Sequence, residues 1–299
     1  MNQGYIKQVS LLLDVLPEVA KEDCFALHGG TAINLFIRNL PRLSVDIDLT
    51  YVHTLDRNEA LTEISKALDR IQSRIEKLVA RIKVEHKTDA CKLQISKDGA
   101  IVKVEVNMVA RGLISQPERL VLCNAAQEHF GTFCVVPVVP FEQLYGGKVC
   151  AGLDRQHPRD IFDVKFLLEN EGFTAEVKTG FIYSLLGSNR PVHELLQPNL
   201  IDQKIAFEQQ FKGMSQTCFT YDDYANTRGL LIKTINECLS ETDKRFLLSF
   251  NLLEPDWSVY DFENFPSIKW KLKNLETLKQ NNSDKYETQL NQLNDVLNY

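Results

Sequence analysis

Two aspartates one residue apart, Asp46 and Asp48, interrupt the apolar run Val45-Asp46-Ile47-Asp48-Leu49 and constrain this chain more than any other feature. In a strand, residues i and i+2 project from the same face, so both carboxylates stand together while Val45, Ile47 and Leu49 line the other face. Two carboxylates on one face repel each other, and a shared divalent cation is the ordinary reason to keep such a pair. The chain must therefore build a strand with one apolar face and one charged face.

The residues upstream suit that strand. Phe25-Ala26-Leu27-His28 reads as a short apolar strand, and Gly29-Gly30-Thr31 turns the chain into a helix over 32–40 that stops before Pro41. A strand, a glycine turn and a helix N-terminus form an anion site: small residues let a phosphate approach the backbone, where free N–H groups meet it. Gly-Gly alone is a weak signal. Followed by Arg42-x-Ser44-x-Asp46-x-Asp48 on the next strand, it becomes a strong one.

Periodicity organises the rest into an α+β chain. Residues 5–20 read as an opening amphipathic helix despite Pro17, and 56–82 as a second helix. Extended segments follow at 83–86, 92–96 and 101–109, the last two joined by the turn Lys97-Asp98-Gly99. Lys103 and Glu105 share a face of the third segment; Glu105 is either an ordinary exposed residue or a third carboxylate beside the aspartate pair. After an irregular stretch ending at Pro140, the pattern is helical: 141–153 with Lys148, 159–169, four segments near 174–187, 202–212, 221–239 and 241–252, and two polar closing helices, 268–279 and 283–297. Residues 255–266 read as a loop. The expected organisation is a small mixed sheet with flanking helices over 1–140 and a helical domain over 141–299.

Composition bounds the function. With 299 residues, 44% of them hydrophobic, the chain can bury a substantial core. No run reaches the roughly 18 apolar residues of a membrane helix, and the N-terminus lacks a basic leader with an apolar core, so the expected location is the cytoplasm, with no membrane partner. The seven cysteines are scattered without a C-x-x-C pair, which favours reduced thiols over zinc or disulfides. A net charge of −6 argues against a protein that coats nucleic acid, because phosphate binding needs clustered cations. Any RNA contact must rest on a local patch.

Gly29-Gly30-Thr31, Asp46, Asp48 and Glu105 occur in the order and on the elements that a nucleotidyl-transferring metal site requires. Two Mg²⁺ or Mn²⁺ ions held by three carboxylates lower the pKa of an attacking hydroxyl and neutralise the leaving pyrophosphate. Lys148, from the helical half, suits the β- and γ-phosphates of an NTP as a point charge. Asp163, on a facing helix, orients that lysine or contacts substrate, or else bridges two helices. The expected place of reaction is a cleft between the two halves.

Several residues carry two readings. Lys66, Arg70, Arg74, Lys77 and Arg81 recur at spacings that place them on one helix face, as a solvated face balanced by Glu63, Asp69 and Glu76 or as an RNA-backbone contact. Arg155, His157 and Arg159 form either a basic interhelical loop or a phosphate contact. His28 is a structural strand-end residue or a nucleotide contact; Trp257 and Trp270 are buried anchors or base-stacking surfaces.

The runs GGTAINLF, RLSVDIDLTY, KVEVN, GGKVCAGLDRQHPRDIFDV and FPSIKWKLKNL resemble the AbiEii/AbiGii nucleotidyltransferase toxins of the DNA polymerase β-like superfamily, over nearly the whole chain. The resemblance implies a polymerase β-like domain followed by a helical one. It implies the toxin half of a type IV toxin–antitoxin or phage-defence pair, with a winged-helix antitoxin of AbiEi type as partner, and transfer of a nucleotide from an NTP to the 3′ end of tRNA, blocking aminoacylation. Position by position, Gly29, Gly30 and Thr31 match the triphosphate-binding turn, and Arg42 and Ser44 belong to the same nucleotide-binding block. Asp46 and Asp48 match the metal pair, with Glu105 as third carboxylate; Lys148 matches the triphosphate lysine and Asp163 the final acidic motif. Gly-Gly-Thr stands where many superfamily members have Gly-Ser, leaving the hydroxyl on Thr31. Two alternatives stay open: nucleotidylation of a protein or small-molecule hydroxyl, and a catalytically silent module that holds its antitoxin.

Overall fold

The alternation around Asp46 and Asp48 resolves into one strand of a seven-stranded mixed sheet. The computed structural model describes residues 2–298. The strands are β1 (Phe25–His28), β2 (Asp46–Tyr51), β3 (Lys83–Lys87), β4 (Lys92–Lys97), β5 (Ala100–Val106), β6 (Glu118–Val121) and β7 (Val135–Val138), in spatial order β3-β4-β5-β2-β1-β7-β6. β2 runs antiparallel to β1 and parallel to β5, while β3, β4 and β5 form an antiparallel meander. β7 lies parallel to β1 and antiparallel to β6. Ile47, Leu49, Leu93, Ile95, Val102 and Val104 are buried at alternate positions, as period-2 patterning requires.

Two helices of this unit, Gln3–Val19 and Arg57–Leu78, follow the sequence reading, with Asp56 capping the second through the N–H groups of Asn58 and Glu59. The second ends at Leu78, so Arg81 lies beyond it, in the left-handed region at φ 59°. The stretch before Pro140 departs from the reading. It holds β6, a short helix Asn124–Phe130 and β7, where an irregular connection was expected. Pro137 within Val-Pro-Val-Val hides β7, because proline contributes no ladder N–H and demotes an apolar run as a strand candidate.

The chain divides into two compact units, Met1–Leu144 with Phe207–Phe219, and Tyr145–Ala206 with Thr220–Tyr299. The late excursion Phe207–Phe219 belongs with the sheet: Leu43 N–H donates to Met214 O at 2.8 Å, Ser215 Oγ donates to Pro41 O at 3.0 Å, and Phe207, Phe211 and Phe219 cluster together. It buttresses the loop that leads into β2. What reads in sequence as a helix near 202–212 is a short helical turn, Lys204–Ala206, followed by a π turn, Phe207–Phe211.

The second unit is helical: Pro158–Asn170, Ala175–Leu186, Val192–Leu196, Tyr221–Cys238, Glu241–Asn251, Pro266–Asn281 and Ser283–Leu297 join the greater part of Phe141–Asp154. Thr220 with Asp223, and Ser240 with Asp243, form reciprocal capping boxes that start two of them. Gly146 permits a close helix contact, since a Cβ there would lie 2.1 Å from the backbone of Gly180. That approach seats the helix carrying Lys148 in the core of this unit. No helix among the described residues is long and apolar enough to cross a membrane.

Candidate active site

The glycine turn is built against the second aspartate. Helical winding begins at Gly29, three residues earlier than the sequence suggests, and ends at Ile37 in a π turn. Gly29 has φ +73°, and a Cβ there would lie 2.4 Å from Asp48 Oδ2. Glycine is required twice over, for the backbone conformation and for the carboxylate that fills the side-chain position. Gly30 is required for a different reason: its Cβ would meet Arg42 Nη2 at 2.7 Å and Ser44 Oγ at 2.9 Å. Arg42 is 2% exposed and donates to Leu43 O at 2.9 Å. Arg42 and Ser44 thus pack beneath the turn and fix its height over β2.

Thr31 is fully buried, and its hydroxyl donates to the backbone carbonyl of Asp46 at 2.6 Å. The hydroxyl that stands after the two glycines ties the turn to the first residue of the aspartate strand. Asn34 Nδ2 donates to Gly30 O at 2.9 Å and secures the other side of the turn.

Register decides what shares the aspartate face. His28 is opposite Asp48 on β1, Glu105 is opposite Asp48 on β5, and Lys92 is opposite Glu105 on β4. Directly opposed residues point to the same face, so His28, Asp48, Glu105 and Lys92 form one polar row across four strands. Asp46, Lys103 and Gln94 form the neighbouring row. The Thr50 hydroxyl lies 3.4 Å from His28 Nδ1, holding that imidazole at the strand end.

Asp46 and Asp48 offer hard oxygen donors of the kind Mg²⁺ or Mn²⁺ takes. Glu105 reaches the same face, but its carboxylate accepts from Lys92 Nζ. Among the described residues no three metal-ligating side chains stand close enough to hold a cation by themselves. The residues present fit an ion that takes the two aspartates and completes its shell with phosphate oxygens and water, the usual habit of Mg²⁺.

The second unit holds a separate charged cluster. Lys148 is 6% exposed, and its ammonium lies 2.9 Å from Asp160 Oδ1 and 3.2 Å from Asp163 Oδ2. Arg155 adds a two-point grip on Asp160, from Nε at 2.6 Å and Nη2 at 3.0 Å. Burial opposes ionisation of Asp160, but Lys148 and Arg155 outweigh it and hold the carboxyl well below the usual range. Sequence reasoning selected Asp163 and missed Asp160. The available signal was Asp-x-x-Asp in RDIFDV, a spacing that puts both carboxylates on one helix face. His157 caps the same helix by accepting from Arg159 N–H at 3.1 Å, a structural use of the loop histidine.

The basic stripe on Arg57–Leu78 is divided in its uses. Arg70 grips Glu22 through Nε and Nη2, and Arg74 Nη2 donates to Glu22 at 2.7 Å and to Glu18 O at 2.9 Å. These two arginines clamp the helix to the end of the first one and hold the Glu22 carboxyl below its usual range against its burial. Lys66 and Lys77 are exposed.

A family model described as "Nucleotidyl transferase AbiEii toxin, Type IV TA system" matches residues 10–272. The solved structure of MenT4, nucleotidyltransferase toxin Rv2826c from Mycobacterium tuberculosis H37Rv, is similar in fold, with a TM-score of 0.61 and 14% identity over 92% of this chain and 95% of that one. No curated protein matches the chain in sequence.

Proposed function

The chain belongs to the AbiEii family of nucleotidyltransferase toxins of type IV toxin–antitoxin systems, and on that premise we propose that it transfers a nucleotide from an NTP to an RNA acceptor, the 3′ end of tRNA, and so blocks translation. The observation that carries this reading is the packing of the Asp48 carboxylate against Gly29 at the start of a helix. It brings a metal-binding oxygen to the same point as backbone N–H groups that suit a phosphate.

In this reading Asp46 and Asp48 would hold the divalent ion, which when bound would supply Lewis acidity for nucleotide transfer. Gly29 and Gly30 receive the triphosphate on the backbone. Thr31, Arg42 and Ser44 are positioning residues: they fix the turn to β2, so the phosphate contact and the carboxylates keep one geometry. Lys103 places cationic charge on the carboxylate face, where the polyanionic substrate must come, and Lys92 offsets Glu105 there. Lys148 matches the family's triphosphate lysine, and within its own unit its ammonium is held by Asp160 and Asp163. The setting is the cytoplasm, and the antitoxin a winged-helix regulator of AbiEi type.

The test is incubation of the protein with each of the four labelled NTPs, Mg²⁺ or Mn²⁺, and total tRNA. Label is expected in RNA with wild type and absent with Asp48→Asn, whose circular dichroism should match wild type. No label in RNA with any NTP overturns the reading; label in protein or in a small-molecule hydroxyl would assign a different acceptor.

A further inference from the structure

The two tryptophans are used differently. Trp257 packs against Phe246 and Phe250. Trp270 stays 49% exposed on the helix Pro266–Asn281 and lines a cavity of about 380 Å³ inside the helical unit. That volume lies at the lower end for small-molecule sites, about 300–1,000 Å³.

Lys271, the next residue, lines the same cavity and is 7% exposed. Its ammonium donates to Ser188 O at 2.8 Å and Arg190 O at 2.5 Å, which draws the loop between two helices into the cavity wall. Two of its three N–H groups are thereby used. No carboxylate among the described residues forms an ion pair with it. Glu194, on the same wall, is taken by Arg190 at 3.3 Å, and Arg190 is also held by Asp154. A buried cation without a counter-ion is costly, and burial pushes the Lys271 pKa down to about 8. Lys285 adds a second cation to the lining, and Asn274 and Gln289 add amides that both donate and accept. A second depression shares His193 and Glu194 with the first and continues past Asn199 to Gln292, so the surface extends beyond one residue-sized ligand.

An exposed indole beside a buried ammonium that touches carbonyls but no carboxylate suits a ligand that is aromatic at one end and anionic at the other. We propose that this cavity binds a nucleotide, with its base stacked on Trp270 and its phosphate drawn to Lys271 and Lys285, and that the occupant is an unpaired nucleotide of the RNA acceptor. Its assignment to RNA rests on the transferase reading above and on the continuation of the groove; the aromatic and anionic chemistry does not. Stacking on a single aromatic side chain contributes enough to be read by substitution.

The experiment titrates the full chain into a fluorescein-labelled single-stranded oligoribonucleotide, and separately into a fluorescent ATP analogue. Both are followed by anisotropy in EDTA without other nucleotides, so the metal-dependent site is silent. Trp270→Ala should weaken RNA binding roughly tenfold, and Trp270→Phe should restore most of it. Lys271→Met should weaken it with a shallower salt dependence. Trp270 is exposed, so its variants are expected to fold as wild type by circular dichroism. An effect confined to the ATP analogue would assign the cavity to free nucleotide and overturn the RNA occupant. No effect of Trp270→Ala on either probe would overturn the site. Trp270-dependent RNA binding together with failed transfer would remove only the transferase reading.

Discussion

Gly29→Ala separates the cost of a backbone conformation from the cost of moving one carboxylate. Alanine at φ +73° pays about 1–2 kcal/mol of left-handed strain, partly offset by about 0.4–1 kcal/mol from a stiffer unfolded chain, which leaves roughly 1 kcal/mol of lost stability. The steric term falls elsewhere. The new Cβ would sit 2.4 Å from Asp48 Oδ2, where ordinary contact begins at 3.4 Å, so the carboxylate must retreat by about 1 Å. That atom is the tip of a flexible side chain, so the retreat costs little stability, but a misplacement of this size in a reacting group costs about 100-fold in rate. Gly99→Ala is the matched control: φ is +81° and nothing lies within 4 Å of its Cβ. Both variants should lose roughly 1 kcal/mol in urea unfolding, while only Gly29→Ala should lose about 100-fold in transfer of labelled NTP to RNA. Equal activity in the two would refute the assignment of Asp48 and its turn to the reacting centre.

Two further expectations concern buried charges. Asp160 is held below its ordinary 3.8 against its burial by Lys148 and Arg155, so its contribution to stability is complete above that value and lost as pH falls beneath it. In urea unfolding, Asp160→Asn should cost about 3 kcal/mol at pH 7, where it leaves Lys148 with Asp163 alone, and progressively less as pH falls below 3.8; a cost that does not shrink on acidification would refute the pairing. Lys271 is lowered from 10.5 to about 8, so between these values the unfolded chain binds more protons and stability rises with pH. The stability of wild type relative to Lys271→Met should therefore increase between pH 8 and 9.5, and a flat difference would show the ammonium to be compensated.

What could be read in the sequence follows from the range of the signal. Period-2 alternation is local, so the two faces of β2, the pairing of Asp46 with Asp48 and the hairpin at Gly99 are legible from neighbouring residues. The glycine turn is legible as a phosphate site, but the reasons for its glycines are not, because Gly29 answers to Asp48 and Gly30 to Arg42 and Ser44 across the fold. The alignment of Glu105 with Asp48 needs the parallel pairing of β2 and β5, which a helix and an antiparallel meander separate in sequence. Its capture by Lys92 needs the β4–β5 register as well. The use of the Thr31 hydroxyl was hidden for a similar reason: its acceptor, the carbonyl of Asp46 2.6 Å away, lies fifteen residues on in the chain. Phe207–Phe219 has helical periodicity yet packs with the sheet unit, a choice made by the aromatic cluster and the loop at Arg42.

The polar rows carry a consequence for how this fold tolerates its own chemistry. Like charges side by side on a strand oppose folding, and an enzyme that kept them in the core would lose stability to them. Here the strand period sends Ile47 and Leu49 into the buried layer, at 0% and 3% exposure, and leaves Asp46 and Asp48 half-buried on the opposite face. Buried apolar and half-buried acidic side chains therefore occupy alternate residues at the start of the same six-residue strand. Register links them: a slip of one residue would bury both carboxylates and expose Ile47, a cost large enough to exclude that pairing. The hydrogen bond from Thr31 to Asp46 and the fit of Asp48 against Gly29 close the strand at the register that presents the pair to the turn. The aspartates thus act as negative determinants of the sheet, and because asparagine at 48 stays polar on the same half-buried face, Asp48→Asn is expected to keep the fold.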